Sequence, residues 1–370
     1  MPERQTRRLR VAIFAPHYAE YTVRLATALA RKADVLLVAE TANVRNECRD
    51  SLVSDARRAL KLVTYDAHSR IGRVVATARV PAAIAAFRPD VLHVQEQPDK
   101  LTARIVGLLR WRLPILMTVH DPRPHSGRDA AYARRQDVFR QRLRAAASAF
   151  HVHGDHCRRE MIHAVGTGRA IVDTLHGVIL CPEPAERRAP EGGRMLFFGR
   201  MEAYKGLETL LDAADILQRD NVACRIVVAG RGPELDRLRP RLLQQPCIEV
   251  LEKFLTPAEA TEQFQRAEIV VAPYQDATQS GVVAAAVGNG RAIVASAVGG
   301  LVDAVSDGVS GLLLEPGRPD VLAEALTGLI DDRGRLLQLL AGSEAEAAGR
   351  FAWDRITDDL LAAYGGLLRR

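Results

Sequence analysis

Short apolar runs alternate with longer amphipathic stretches along nearly the whole chain. In the first half the runs lie at 11–15, 35–39, 91–94, 115–119 and 149–152. They are unbroken and too short for helices, which is the pattern of strands buried on both faces. Stretches such as 21–31 and 74–87 between them space their apolar residues as helices do. The segment 41–70 is less regular and reads as a helical or loop excursion. The second half repeats the alternation, with runs at 195–198, 225–229, 269–272 and 290–295, and a helical tail over 351–370 carries Trp353. Such alternation predicts an α/β architecture of doubly wound parallel sheets, whose ligands sit beyond the carboxyl ends of the strands.

Between the halves, Cys181 to Gly193 gathers prolines, glycines and charges as an interdomain linker does. The expected organisation is a first domain over 1–180, a linker over 181–193, a second domain over 194–350 and a terminal helix over 351–370. At 370 residues the chain is long enough for two cores. No apolar stretch of about 18 residues or signal-peptide core appears, and the five scattered cysteines form no metal or disulfide pattern, so a cytoplasmic protein is expected.

The formal charge of +6 comes largely from arginine. The densest run is Arg128, Arg134, Arg135, Arg140, Arg142 and Arg144 on a predicted helix, followed by Arg158 and Arg159. A solvated helix face is the first reading, and peripheral contact with an anionic inner membrane face the second. Nucleic acid is disfavoured, because no aromatic residues interleave with the arginines.

The stretch Phe197-Phe198-Gly199-Arg200-Met201-Glu202-Ala203-Tyr204-Lys205-Gly206 holds the strongest candidate chemistry. A strand, a glycine turn and a helix opening at Gly206 predict an anion site, to which Arg200 and Lys205 add two charges. Gly230, in Gly230-Arg231-Gly232, is a second glycine turn before a helix. After the run 269–272, Ser280 is a candidate N-cap, and the N–H groups of Gly281 and Val282 form a second anion-binding helix end. The two ends together would enclose a diphosphate. In the first half, the loop with His17 and Tyr18 lacks the glycine-rich turn of a dinucleotide fold and suits a hydroxylated substrate. His120 and Asp121 stand at the carboxyl end of a predicted strand in a proline-rich loop that runs on through His125. His151, His153 and His156 invite a metal reading, but no further ligands complete a site, and Asp155 reads as an N-cap.

In order, GR-x4-KG, AGRGP, APY-x-x-A-T-Q-S-G, GR-x-IVAS-x-x-GG and DGVSGLLLEPG resemble the retaining glycosyltransferases of family 4. That resemblance implies the GT-B fold, two facing Rossmann-like domains with a cleft between them, and a terminal helix crossing back to the first. It implies a nucleoside-diphosphate sugar on the second domain and an acceptor hydroxyl on the first, with no metal and no further cofactor. Carried over by position, Arg200 and Lys205 would grip the diphosphate opposite Ser280, Gly281 and Val282. Gly199 and Gly230 would permit close approach, His120 would border the transferred sugar, and His17, Tyr18 and Asp121 would meet the acceptor. The two glutamates usual in the family fall at Ala277 and Ala285, so Asp276, Thr278 and Gln279 are expected to supply the sugar contacts. Two rivals share the architecture: a nucleotide-sugar 2-epimerase and a non-catalytic sugar-nucleotide binder.

Overall fold

The computed structural model describes residues 7–123 and 128–369. Pro124, His125, Ser126 and Gly127 lie outside the described residues, as do the side chains of Arg128 and Arg134.

Seven strands build the first sheet: β1 Arg10–Ala15, β2 Asp34–Glu40, β3 Lys61–Tyr65, β4 Val91–Gln95, β5 Ile115–Thr118, β6 Ala149–His153 and β7 Ala170–Thr174. Six build the second: β8 Arg194–Phe198, β9 Arg225–Ala229, β10 Ile248–Leu251, β11 Ile269–Ala272, β12 Ala292–Ser296 and β13 Gly311–Leu314. The spatial orders are β3-β2-β1-β4-β5-β6-β7 and β10-β9-β8-β11-β12-β13. Neighbours are parallel, so that Val11 lies level with Val35 on one side and Val91 on the other. Strand order reverses between β1 and β4 and between β8 and β11. A crevice opens at such switch points, at the carboxyl ends of the strands.

Each sheet is covered on both faces, which is why its central strands read as continuous apolar runs. The segment 41–70 resolves into the helices Thr41–Glu47 and Asp50–Ala59 and the edge strand β3. In the arginine-rich helix Arg128–Ala146, Arg135 and Arg142 are exposed, as a solvated face requires. Arg144 departs from that reading: it is buried and bidentate on Glu96, with bonds of 2.7 and 3.1 Å.

The terminal helix Trp353–Leu368 returns to the first domain. Its Ile356, Leu360, Tyr364 and Leu367 enter the core beneath β1 and β2. Full burial of such side chains contributes about 1.5–3 kcal/mol each. Trp353 donates from Nε1 to Val178 O at 2.9 Å and lies flush against Gly177, where a Cβ would come within 2.5 Å of the indole. Inside the first domain a polar chain runs across the sheet. The Tyr364 hydroxyl meets His93 Nδ1 at 2.6 Å, and His93 Nε2 meets Thr118 Oγ1 at 2.6 Å. Thr118 Oγ1 meets His151 Nδ1 at 2.9 Å, and His151 Nε2 meets Thr174 Oγ1 at 2.8 Å.

Removing one end of a fully buried chain strands its neighbour without a partner. Tyr364→Phe should therefore lower stability by about 1–3 kcal/mol, read as a shift in the urea midpoint, with His93→Phe in the same background adding less than it costs alone.

Candidate active site

β8 ends at Phe198 and the chain reverses at Gly199, whose φ of 114° favours glycine. This turn packs backbone to backbone on the one after β9: a Cβ on Gly230 would lie 1.9 Å from Gly199 O. Lys205 lies beneath it, only 7% exposed. Its Nζ donates to Phe198 O at 3.3 Å and to the Tyr274 hydroxyl at 3.1 Å. A Cβ on Gly199 would come within 2.7 Å of that nitrogen, so the ammonium reaches the underside of the turn. Burial, aided by Arg200 and opposed by Tyr204, brings the Lys205 pKa down to about 8.

A cleft of about 500 Å³ opens above this floor, between the two domains. Arg200, Arg231 and Lys253 line it from the second domain, beside the backbone of Gly199 and Gly230. The helix Gly281–Gly288 points its N-terminus there: Ser280 caps it by accepting from Val283 N at 3.4 Å, and Gln279, Gly281 and Val282 line the wall. Of the two helix ends expected to enclose the anion, only this one faces the cleft. The helix Leu207–Arg219 starts instead against Pro273, where a Cβ on Gly206 would lie 1.9 Å from the carbonyl oxygen, and Leu207 is buried.

The first-domain wall carries carboxyl groups instead, one of which, Glu20, is paired with Arg24 at 2.9 Å. Glu20 and Glu47 line it with Tyr18, Tyr21 and His176. Glu47 accepts from Ala19 N at 2.6 Å at the start of the helix Ala19–Leu29. Burial, with Glu20 and Glu40 adding to it against two backbone N–H bonds, pushes its pKa up to about 7. His17 stands 3.8 Å from Glu47, and burial together with Arg200 lowers its pKa against the pull of Asp121.

Several expected contacts lie elsewhere in this structure. His120 is 2% exposed and one layer below the wall, with its ring stacked 3.8 Å from that of Tyr18. Its Nε2 is 3.0 Å from Gln95 Oε1, Nδ1 has no hydrogen-bond partner among the described residues, and burial drives its pKa well down. Asp121 bonds the hydroxyl of Thr278, and Arg123 bonds Asp276 at 2.8 Å. These pairs join the two domains, so Asp276 and Thr278 meet the first domain here and Gln279 alone of the three lines the cleft. Ala285 is in the cleft wall and Ala277 is in the core.

Asp155 is the second residue of the helix Gly154–Val165, not its cap. The cap comes from the other domain, where Asp303 accepts from His156 N at 2.7 Å. His151 uses both ring nitrogens on threonines, and no group of three described His, Cys, Asp or Glu residues could hold a metal ion. Sequence reasoning missed Glu20, Glu47 and Lys253. Lys253 follows a strand end, so recognising β10 would have found it; Glu47 has no signal in the irregular segment that holds it.

Residues 192–332 match the family described as "Glycosyl transferases group 1", and residues 18–177 match "Glycosyl transferase 4-like domain". The D-inositol 3-phosphate glycosyltransferase of Mycobacterium leprae is 31% identical over 320 residues, covering 78% of this chain and 72% of that one. The chain belongs to the group 1 glycosyltransferases. Another relative of that name, from Geodermatophilus obscurus, is 35% identical over 183 residues, 46% of this chain but only 39% of its own length. The sucrose-phosphate synthase structure from Thermosynechococcus elongatus superposes on this glycosyltransferase with a TM-score of 0.73 at 18% identity, over 98% of this chain and 100% of that one. Anabaena HepE in complex with UDP gives 0.68 at 15% identity, over 97% and 100%. Both share the two-domain GT-B fold.

Lys205 supplies a test of the floor. Its pKa is depressed on folding from an ordinary 10.5 to about 8, so the unfolded chain holds the proton more tightly across that window. Wild type should gain stability relative to Lys205→Met as pH rises from about 8 toward 10.5, by up to about 1.4 kcal/mol per pH unit in paired denaturation curves. A difference independent of pH would mean the ammonium is solvated.

Proposed function

We propose that this glycosyltransferase moves a sugar from a nucleoside-diphosphate sugar to an acceptor hydroxyl, with retention of configuration and without a metal. The observation that carries the reading is the polarity of the cleft. Arg200, Arg231, Lys253 and a helix N-terminus form one wall, and Glu20 and Glu47 form the other. An anionic diphosphate belongs on the first wall, and a neutral polyhydroxyl acceptor, which donates to carboxylates, on the second.

As the bond from the anomeric carbon to the phosphate oxygen breaks, negative charge grows on the diphosphate. Arg200 meets it from the cleft, Lys205 from below the Gly199 turn and the Gly281 end from the facing wall. These fixed charges take the part a metal would otherwise play. The acceptor oxygen bonds to the anomeric carbon on the same face, and its proton passes to the departing phosphate oxygen. His17 and Tyr18 border the acceptor. His120 acts through Tyr18 rather than by touching sugar. Asp121, Asp276 and Thr278 shape the site by holding the domains together.

UDP in the HepE complex and UDP-glucose in another of its structures make uridine the first base to try. Among the described residues no helix is long and apolar enough to cross a membrane. Exposed Arg135 and Arg142 support peripheral contact with an anionic surface.

UDP at a hundred times its dissociation constant should stabilise wild type by about 2.7 kcal/mol, a shift of several degrees, and stabilise Arg200→Ala much less. With donor and acceptor present, Arg200→Ala should lower turnover about 10²–10³-fold, EDTA should leave it unchanged, and NMR should find the donor's anomeric configuration in the product. Epimerised donor without transfer would reject the reading in favour of an isomerase, and binding of donor without turnover in favour of a binding protein.

A further inference from the structure

Away from the cleft, a second cavity of about 130 Å³ lies where the interdomain linker crosses the second domain. Arg187 and Arg188 of the linker line it together with Arg291, Asn289 and Glu344. We infer that this cavity is a separate anion site, built for a tetrahedral oxyanion, either free phosphate or the phosphate end of a small metabolite.

Arg291 carries the inference. It is 8% exposed, it lines the cavity, and its Nε has no hydrogen-bond partner among the described residues. Among the described residues no ion pair reaches its guanidinium. A buried charge without a partner is costly, and arginine cannot escape the cost by giving up its proton. Glu344 and Glu268 attract it and Arg187 repels it, but desolvation is the largest influence and lowers its pKa. Glu268 is already engaged, accepting from Gly193 N at 2.8 Å and pairing with Arg333. Three arginines against one carboxylate leave a clear positive excess. The cavity has room for a phosphate. Arginine's planar fork suits phosphate oxygens.

The linker's other side chains give such a site a consequence. Glu183 accepts from the Ser51 hydroxyl at 2.9 Å, and Glu186 pairs with Arg49, both on the first domain. The linker thus holds the first domain by Glu183 and Glu186 and the second by Glu191, which pairs with Arg266, and it turns Arg187 and Arg188 to the cavity on the second. An anion on Arg187, Arg188 and Arg291 would stitch the linker to both, and so couple anion supply to the angle between the walls of the cleft.

The test is calorimetric titration of inorganic phosphate and, separately, glycerol phosphate into the full chain, with ionic strength balanced by chloride. Saturable binding should weaken at least about tenfold in Arg291→Gln. The same loss is expected in the double variant Arg187→Gln/Arg188→Gln, whose exposed positions spare the fold. Glu344→Gln should tighten binding. Phosphate bound in the catalytic cleft would survive the linker variant, so undiminished binding there would overturn the proposal. Absence of binding, with Glu344→Gln destabilising the chain, would also overturn it, because Glu344 would then be the partner of Arg291. Within the supporting result, binding of inorganic phosphate alone identifies the free ion, and tighter binding of glycerol phosphate identifies a metabolite.

Discussion

The basic wall of the cleft rests on a contact that no side chain can enter. The carbonyl of Gly199 occupies the space where a Cβ of residue 230 would be, at 1.9 Å, and the turns after β8 and β9 lock together there. Because residue 199 also lacks a side chain, the Lys205 ammonium can rise to the underside of the same turn. Lys205 then bonds Tyr274, in the loop that leads to Ser280, the cap of the facing helix. Three loops at the carboxyl ends of β8, β9 and β11 are therefore set by one backbone approach. A wall of fixed charge needs such rigidity, because donors that must reorganise as charge develops contribute little to rate.

The same loop after β11 has a second duty. Gln279, Gly281 and Val282 border the cleft, while Asp276 and Thr278 reach across to Arg123 and Asp121. Cys157 adds a thiol bond to Thr278 O, and Asp303 caps a first-domain helix. Occupancy of the cleft and closure of the domains thus act on one short segment. A ligand that shifts this loop changes the clasp, and opening the clasp changes the helix end presented to the ligand. Coupling here follows from shared residues, with no longer pathway required.

What was legible in the sequence follows a physical rule. The strands read as apolar runs are the inner ones of both sheets, such as β1, with five consecutive buried residues. The four that escaped, β3, β7, β10 and β13, are the four sheet edges. Ile248–Leu251, for example, is only half-buried throughout, so its sequence needs no unbroken apolar pattern. The glycine turns and the Ser280 cap were legible because local geometry dictates the residue. Glu47 and the burial of His120 were not, since each depends on elements that meet only after folding. Lys205 was found by type and spacing, but its place beneath the turn is a tertiary fact.

The two alanines that the resemblance sets at the family's usual glutamate positions, Ala277 and Ala285, stand in two different physical settings. Ala285 lies in the cleft wall one turn into the Gly281–Gly288 helix, so a carboxylate there would face the ligand. With alanine there, Lys253, Phe254 and Leu255 are also in the lining, and no carboxylate comes from this position. Ala277 is 1% exposed, and its carbonyl fills the space above Gly299, where a Cβ would come within 1.7 Å. A glutamate there would bury a charge beside the clasp unless the loop moved. The residue at 285 therefore bears on what the cleft presents to a ligand. The residue at 277 bears on how tightly the loop packs beside Asp276 and Thr278, which hold the first domain.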